Sequence, residues 1–354
     1  MRAMAVTAYD EPLAPIDVAA PELPHGYALL EVMACGVCFS DMKTARGLMP
    51  YSAELELPHV PGHEIAGRVV ETNPPGLMRT GELVTVYHYW PCGRCAACRR
   101  GDETLCSDLE SWVGFTHPGG FQERIAVPLG RLITVPDSVD PVEAAPMSCA
   151  LGTAYRSVVT RGGVRPGMRV AVLGLGGVGI HAAQIAVSAG ARVAGYDLHE
   201  PTLERASELG IDARRGDDPD AVQEALDGTG GEGLDLVIDT VGHEPTLTMA
   251  ERLLRPGGRL VGVGYAPDTA LTVPTPRLVL GELELVGSRF AHRDDLENAV
   301  RLVAVGQVRP VIGLVAALED VNDVFDALER GEVVGRAVLD VAGARSPRPV
   351  PGDR

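Results

Sequence analysis

Apolar and polar positions alternate differently in the two parts of this chain. Up to about residue 150, apolar runs of strand length are separated by Gly and Pro, as in YALLEVMAC (27–35), IAGRVVET (65–72) and ELVTVYHYW (82–90). Short runs bounded by turn-forming residues are typical of β-strands. This first part of the chain is therefore predicted to be β-rich.

From about residue 165, strand-like apolar runs alternate with stretches of helical spacing. MRVAVLG precedes VGIHAAQIAVSAGA, and the alternation continues through RVAGYD, PTLERASELG, LDLVID, PTLTMAERLLRPGG, RLVGVG, LELVGS and DDLENAVRLVAVG. Repeated strand–helix–strand units predict an α/β fold with a doubly wound parallel sheet. The last ten residues, RSPRPVPGDR, are expected to form a frayed tail.

A glycine-rich turn joins the first of these strands to the first helix. Residues 174–179 read GLGGVG, which is G-x-G-x-x-G in the setting typical of dinucleotide binding. Gly174 allows a sharp turn, Gly176 lets a pyrophosphate approach the backbone, and Gly179 lets helix and strand pack closely. Unpaired N–H groups at the helix N-terminus attract phosphate. The residues expected to bind the cofactor here are Gly174, Gly176, Gly177, Val178 and Gly179.

An acidic residue ends the following strand, as the dinucleotide-binding pattern requires. Asp197 lies 18 residues after Gly179 and would accept hydrogen bonds from the ribose hydroxyls of adenosine. The same carboxylate would repel a 2′-phosphate, so NAD is predicted rather than NADP. The alternative is a tight turn in which Asp197 only caps a helix.

Four cysteines lie close together in the first part of the chain. CGRCAACRRGDETLC places them as C-x2-C-x2-C-x7-C, which suits one tetrahedral structural zinc in a lobe of about residues 88–110. An iron–sulfur cluster is the main alternative, because thiolate spacing alone does not identify the metal. The expected ligands are Cys92, Cys95, Cys98 and Cys106.

Bulk composition excludes several classes of protein. The chain has 354 residues, which suits two domains, and its net charge of −17 argues against nucleic acid as a partner. We find neither a signal peptide nor an apolar run long enough to span a membrane. A cytoplasmic protein is therefore expected. In that compartment the seven cysteines favour metal binding or catalysis over disulfides.

Taken in order, CGVCFSD, PGHEIAG, the four-cysteine lobe, SCALGTAY, GLGGVG and VVGRAVL carry a family resemblance. The chain resembles the zinc-dependent alcohol dehydrogenases of the medium-chain dehydrogenase/reductase superfamily, over nearly its whole length. The resemblance implies a GroES-like, β-rich catalytic domain formed by about residues 1–150 and 287–354. It also implies a Rossmann NAD-binding domain formed by residues 151–286.

The resemblance identifies a second metal site and predicts two zincs per chain. Cys38, His63 and Cys149 match the ligands of the catalytic zinc, the two-thiolate, one-imidazole set that alcohol dehydrogenases themselves use. A fourth position stays open for water or substrate. Cys35, in the same CGVC run, is not expected to bind metal and is better explained as a small buried thiol.

Three polar residues near these ligands are expected to take part in catalysis. Asp41 would hydrogen-bond His63, and Glu64 would lie behind the zinc and assist ligand exchange. Ser40 would take the proton of the alcohol and pass it to the cofactor ribose. From the residues alone, Asp41 could instead cap a helix and Glu64 could be a surface charge. Lys43 stands where many relatives have a relay histidine, and we expect it to be solvated.

The resemblance also implies contacts outside the glycine-rich turn. Thr153 is expected beside the nicotinamide, and the backbone of Val261, Gly262 and Val263 along the carboxamide. Arg336 is expected to reach the pyrophosphate, with a surface cation as the alternative.

An aromatic run precedes the cysteine lobe and is expected to face the substrate. One or two of His88, Tyr89 and Trp90 would line the pocket, although packing beneath the lobe explains them equally well. Many relatives have Arg, His or Gly at the position of Phe39, and some of these reach the pyrophosphate. Phe39 cannot donate a hydrogen bond and is a further pocket candidate.

The expected activity is the reversible oxidation of a primary or secondary alcohol to an aldehyde or ketone, with hydride transfer to NAD. Polyol-, sorbitol- or threonine-type dehydrogenases of the same superfamily are alternatives, as is a non-catalytic, NAD-binding protein stabilised by zinc. A zinc-free quinone or enoyl reductase has no use for the Cys38–His63–Cys149 set. A homotetramer is expected, with a dimer as the alternative.

Overall fold

The computed structural model describes residues 1–343, so the expected C-terminal tail lies outside the described residues. The strands are β1 (Arg2–Ala5), β2 (Ala14–Asp17), β3 (Tyr27–Val37), β4 (Glu64–Asn73), β5 (Leu83–Val86), β6 (Tyr89–Trp90), β7 (Ser111–Trp112), β8 (Arg124–Pro128), β9 (Leu132–Thr134), β10 (Arg169–Leu173), β11 (Arg192–Asp197), β12 (Asp212–Arg215), β13 (Leu234–Asp239), β14 (Leu254–Gly262), β15 (Glu284–Gly287), β16 (Ile312–Ala317) and β17 (Arg336–Asp340).

The α-helices are short and fall between these strands. They are α1 (Phe39–Ala45), α2 (Ala96–Arg99), α3 (Pro141–Ala144), α4 (Ala150–Tyr155), α5 (Gly179–Ser188), α6 (Glu200–Glu208), α7 (Ala221–Asp227), α8 (Glu244–Leu253), α9 (Thr275–Leu280), α10 (Arg293–Ala304) and α11 (Val321–Glu329). A π-helical turn, Arg156–Arg161, continues α4. Among the described residues, no helix is long and apolar enough to cross a membrane.

The described residues divide into two compact units, and the first contains residues 1–149 and 312–343. Its main sheet has the strand order β16-β17-β3-β4-β5-β9, with β8 also pairing with β3. The long strand β3 pairs antiparallel with β4, β8 and β17. Apolar side chains of these strands, such as Leu30, Val32 and Ile65, form the buried core of this unit. The β-rich character predicted from the sequence is confirmed.

One predicted strand is interrupted. The run ELVTVYHYW forms β5 and then, after a break at Tyr87 and His88, the short strand β6. β5 pairs within the main sheet, whereas β6 pairs with β7. The indole N–H of Trp90 donates to the Tyr87 carbonyl at 3.0 Å and so bridges the break. A continuous apolar run does not reveal this change of partner, because both strands are buried.

The second unit, Ala150–Val311, is built on a parallel sheet. Its strand order is β12-β11-β10-β13-β14-β15, and every pairing is parallel. β10 and β13 lie at the centre of the sheet. Strands β10 to β12 extend from the centre to one edge, and strands β13 to β15 extend from the centre to the other edge. The order therefore reverses between β10 and β13, and ligands of doubly wound folds bind at such a reversal. The doubly wound parallel sheet predicted from the sequence is confirmed.

This unit extends past residue 286, where the resemblance placed its end. Helix α10 lies within it, and the carboxylate of Asp295 explains why. Asp295 accepts a hydrogen bond from Arg156 at 3.2 Å and another from the Thr160 hydroxyl. Arg156 and Asp295 are both buried, so separating them would leave unpaired charge in a low-dielectric interior.

Candidate functional site

The four cysteines of the lobe converge as the sequence predicted. Their sulfurs lie within 4.8 Å of one another. The Sγ–Sγ distances are 3.5 Å between Cys95 and Cys98, 3.6 Å between Cys92 and Cys106, and 4.0 Å between Cys95 and Cys106. Tetrahedral zinc with Zn–S bonds of about 2.3 Å places its sulfurs about 3.8 Å apart. The donor set therefore fits one zinc ion.

Backbone amides of the lobe point at the same sulfurs. The N–H of Cys92 faces Cys106 Sγ at 3.4 Å, that of Cys95 faces Cys92 Sγ at 3.4 Å, and that of Cys98 faces Cys95 Sγ at 3.5 Å. The last of these bonds is the main reason why the pKa of Cys95 is lowered to about 5. Donors arranged around sulfur favour thiolates, the form that binds metal.

A second group of metal-binding side chains forms in the same unit. Donor atoms of Cys38, His63, Glu64 and Cys149 all lie within 4.8 Å of one another. Pairing of β3 with β4 explains part of this convergence, because Gly36 lies opposite Glu64. Cys38 follows β3, His63 precedes β4, and Cys149 ends the helical turn Ala145–Ser148. The structure thus brings the three predicted ligands together and adds a carboxylate.

Asp41 connects the helix after Cys38 to the imidazole of His63. Its Oδ1 lies 2.8 Å from His63 Nδ1, so the imidazole donates from Nδ1 and keeps Nε2 for a metal. Its Oδ2 accepts from the backbone N–H of Cys38 at 2.9 Å and so caps α1. The predicted contact with His63 is confirmed. Asp41 also caps the helix, which was the alternative role considered for it, so one side chain performs both roles.

Glu64 is buried beside these ligands and paired with an arginine from the far end of the chain. Arg336 Nη2 lies 2.7 Å from Glu64 Oε1 and 3.6 Å from Cys38 Sγ. Both side chains are buried, so neither is the surface charge that the residues alone allowed. The other carboxylate oxygen, Glu64 Oε2, has no hydrogen-bond partner among the described residues. A buried carboxylate oxygen without a partner fits a site that accepts a cation. The pyrophosphate contact expected of Arg336 stays a prediction.

The charges of this group shift the pKa values of its members. The Cys149 thiol, together with Arg336 and His63, holds the pKa of Cys38 well below its ordinary value against the effect of burial. Burial raises the pKa of Glu64 to about 7, although Arg336 opposes the shift. Cys38 is therefore disposed to be a thiolate, the form that coordinates zinc.

Gly36 shows how closely Glu64 is held, and sequence reasoning missed it. A Cβ at Gly36 would lie 2.2 Å from Glu64 Oε2 and 2.9 Å from Glu64 Cβ. A side chain at this position would therefore displace the carboxylate. The glycine inside C-G-x-C was the available signal, because glycine is the residue that allows such a close approach.

Other residues of the CGVCFSD run take different places. Cys35 is fully buried, and its thiol faces the Gly36 carbonyl at 3.7 Å, outside both metal-binding groups. Ser40 is half-buried, with its hydroxyl 3.8 Å from Cys38 Sγ. Lys43 is half-buried on α1 rather than fully solvated, whereas Phe39 is exposed.

The aromatic run contributes one residue next to the metal ligands. His88 is buried, and its ring centroid lies 5.2 Å from that of His63. Burial lowers the pKa of His88 to about 3, so its imidazole is neutral. Tyr89 and Trp90 are buried in packing contacts with Trp112 and His117.

Sequence reasoning missed an aromatic cluster that reaches the metal ligands. The Phe115 ring centroid lies 4.7 Å from that of His63 and 4.1 Å from that of Trp112. Tyr51 packs edge-on against Trp112 and Phe115. Because Tyr51 and His63 are far in sequence from Trp112 and Phe115, no local pattern joins them.

The glycine-rich turn of the second unit has the geometry that its sequence requires. Gly174 has a φ of +79°, and a Cβ there would meet Val241 at 2.5 Å. A Cβ on Gly179 would lie 1.8 Å from the Gly174 carbonyl oxygen. Gly176 faces open space, with no atom within 4 Å of its Cβ position. The sharp turn at Gly174 and the close packing at Gly179 are confirmed, whereas the approach of a pyrophosphate at Gly176 stays a prediction.

Asp197 lies against this turn. Its carboxylate accepts backbone hydrogen bonds from Leu175 at 2.6 Å, Leu198 at 2.8 Å and His199 at 3.0 Å. Asp197 therefore shapes the turn in addition to any contact with a ribose. Within residues 1–343, the N–H groups of residues 176–179 make no hydrogen bond, and they lie at the N-terminus of α5.

The remaining predicted cofactor contacts lie in the same unit. Val261 and Gly262 end β14, and the Val263 N–H donates to the Asp239 carbonyl at 2.8 Å. Thr153 is buried on α4. The contacts of these residues with a cofactor stay predictions.

Comparison with known proteins decides the family. Residues 24–137 match the alcohol dehydrogenase GroES-like domain, and residues 177–305 match the zinc-binding dehydrogenase domain. An alcohol dehydrogenase from Geobacillus stearothermophilus is 35% identical over 343 residues, which is 96% of this chain and 98% of that protein. The chain belongs to the zinc-dependent alcohol dehydrogenase family.

Solved structures agree with this assignment. A structure described as an NAD-dependent alcohol dehydrogenase superposes with a TM-score of 0.90 at 31% identity, covering 96% of this chain and all of that one. The alcohol dehydrogenase from Aeropyrum pernix gives a TM-score of 0.87 at 32% identity, with the same coverage. In this zinc-dependent alcohol dehydrogenase, Cys38, His63 and the cysteine lobe fall inside the GroES-like match, while Cys149 lies between the two matched ranges.

Proposed function

We propose that this alcohol dehydrogenase interconverts a primary or secondary alcohol and its carbonyl compound, using NAD and two zinc ions per chain. The convergence of Cys38, His63 and Cys149, with Asp41 fixing the imidazole, is the observation that carries the proposal. Zinc bound there would polarise the substrate oxygen, and NAD would accept the hydride. The four-cysteine lobe would hold the second zinc and stabilise the lobe.

The residues around the ligands supply positioning and proton transfer. Asp41 keeps His63 in the tautomer that leaves Nε2 for the metal. Ser40 lies 3.8 Å from Cys38 Sγ, which suits a hydroxyl that takes the substrate proton. Glu64, with one oxygen on Arg336 and the other without a partner among the described residues, is placed to approach the metal during ligand exchange.

The second unit favours NAD over NADP. Asp197 places a carboxylate at the end of β11, where a 2′-phosphate would be repelled. A cation that could bind a 2′-phosphate here is Arg215, the register partner of Asp197 on β12. Arg215 is bonded to Asp217 at 2.9 and 2.8 Å and to the Leu198 carbonyl at 3.1 Å. Most of the hydrogen-bonding capacity of its guanidinium is therefore used within the protein and is not available to a 2′-phosphate.

We further propose a homotetramer, with a dimer as the alternative, in the cytoplasm. β15 is an edge strand of the parallel sheet and is mostly exposed. Val279 and Leu280 on the preceding helix are 67% and 83% exposed. An unprotected edge next to exposed apolar side chains is suited to association with another copy.

The test compares turnover and metal content of single-cysteine variants. Wild-type protein should reduce NAD in the presence of alcohols and show a lower kcat/KM with NADP. C149S should lose turnover and one zinc. C35A, which alters the neighbouring thiol that is not a ligand, should keep both. Absence of turnover in the wild-type protein across a panel of alcohols would favour the non-catalytic alternative.

A further inference from the structure

Helix α5 carries a buried histidine that the proposed chemistry does not use. His181 is fully buried, and its Nδ1 lies 2.7 Å from the Gly177 carbonyl oxygen. On its other side, the backbone N–H of Val311 donates to His181 Nε2 at 2.9 Å. Because Nε2 accepts, the ring is neutral with its proton on Nδ1, and that proton is donated to Gly177. The two bonds therefore fix both the tautomer and the orientation of the ring.

The bond to Gly177 controls the direction of a neighbouring N–H group. The peptide between Gly177 and Val178 is trans, as only two X-Pro bonds among the described residues are cis. In a planar trans peptide, the C=O and the N–H point in opposite directions. Holding the Gly177 carbonyl towards His181 therefore turns the Val178 N–H away from the helix interior. That N–H makes no hydrogen bond among the described residues and lies at the N-terminus of α5.

We infer that His181 is a positioning residue for pyrophosphate binding, acting through the Gly177–Val178 peptide. This inference rests on the proposed use of NAD and deepens it. With the peptide held, the Val178 N–H is oriented for a phosphate oxygen before the cofactor arrives. Without the Nδ1 donor, the Gly177 carbonyl loses this restraint, and only the bonds of the flanking Gly176 and Val178 carbonyls, to the Ile180 and Ala182 N–H groups, hold the turn. Binding then has to restore the orientation of the peptide.

A neighbouring side chain provides a matched comparison. Gln184, one helical turn further along α5, donates to the Arg309 carbonyl at 3.0 Å and accepts from the Arg309 N–H at 2.9 Å. It holds the same chain segment as His181 but, among the described residues, its side chain makes no hydrogen bond to the glycine-rich turn. A role of His181 in anchoring residues 309–311 would therefore be shared by Gln184. A role in orienting the Gly177–Val178 peptide would not.

The experiment measures binding of NAD, ADP and adenosine by titration calorimetry to zinc-loaded wild-type protein and three variants. In H181N the amide N–H₂ can replace the Nδ1 donor. The longer H181Q side chain reaches instead towards the position of Nε2 and Val311. Q184M removes the hydrogen bonds of Gln184 with little change in volume. Thermal unfolding establishes that each variant is folded.

H181Q is expected to weaken NAD and ADP binding about tenfold, which is the effect of about one hydrogen bond. Adenosine, which lacks the pyrophosphate, should bind unchanged. H181N and Q184M should bind all three compounds within about twofold of wild type. The inference is overturned if H181Q binds ADP normally, if adenosine weakens equally, or if Q184M behaves like H181Q. Failure of wild-type protein to bind either NAD or ADP would overturn the proposed cofactor use and this inference together.

Discussion

Substitution of Gly36 by alanine tests how tightly the structure holds Glu64. The new Cβ would lie 2.2 Å from Glu64 Oε2, 2.9 Å from its Cβ and 3.1 Å from its Cδ. The φ of Gly36 is not positive, so alanine meets no backbone strain there. Any loss of stability or turnover must therefore come from displacement of the Glu64 side chain, which is buried and bonded to Arg336 at 2.7 Å.

In G36A, two effects lower the free energy of unfolding and one effect raises it. Overpacking costs about 1–3 kcal/mol. If Glu64 also leaves Arg336, unpaired buried charge adds to the loss, since breaking such a pair costs about 3–5 kcal/mol. Replacing glycine stabilises by about 0.4–1 kcal/mol through the unfolded chain. We expect the free energy of unfolding to fall by at most about 3 kcal/mol if the ion pair is kept and by about 3–8 kcal/mol if it breaks, with loss of most of the turnover.

Urea denaturation followed by tryptophan fluorescence measures this change, because both tryptophans, Trp90 and Trp112, lie in the first unit. Gly130 provides the control, since nothing lies within 4 Å of its Cβ position and its φ is not positive. G130A should be neutral or slightly stabilising. In an E64A background two of the three clashes disappear, so G36A should cost less there. Wild-type stability and turnover in G36A, or additive costs in the double variant, would refute the reasoning.

Three other substitutions test separate parts of the account. Asp41→Asn removes the charge facing His63, and chelator competition should show about 10- to 100-fold weaker binding of the catalytic zinc; unchanged affinity would contradict this role. Cys106→Ser should reduce zinc from two ions towards one per chain by elemental analysis and expose the lobe to limited proteolysis, whereas two retained zincs would contradict the assignment. Burial holds the pKa of His59 below its ordinary value of 6.5. At pH values near and below 6.5 the folded protein therefore binds fewer protons than the unfolded chain. The stability that comes from keeping His59 neutral is lost as pH falls below about 6.5. His59→Gln can keep the contact with the Gly114 carbonyl, at 3.2 Å in the wild type, without titrating. Its free energy of unfolding should therefore decline less between pH 7 and 5, and an unchanged slope would contradict the argument.

Much of the fold was predictable because its signals are local. Apolar runs and helical spacing identified β10, α5, β11 and their successors, and GLGGVG identified the turn. Among the strands of the second unit, the exception is β12, which has the sequence DARR. Three of its four residues are charged, so it lacks the apolar pattern by which the other strands were predicted. It lies at the sheet edge, where Arg214 pairs with Asp212 and Arg215 pairs with Asp217.

The candidate site was predictable only in part. Its ligands were identified by short motifs that the family resemblance joined together. The ion pair of Glu64 with Arg336 spans 272 positions and depends on the pairing of β17 with β3. The contact of Phe115 with His63 and the bonds of His181 likewise arise from tertiary structure. None of them leaves a periodic signal in the sequence, because each joins side chains from separate elements.

Zinc content per chain, measured by elemental analysis alongside NAD reduction across a panel of alcohols, tests the central claim most directly. The account predicts two zincs per chain with turnover, one held by the four-cysteine lobe and one by Cys38, His63 and Cys149. One zinc per chain without turnover would contradict it, since the second group of ligands would then bind no metal and support no chemistry.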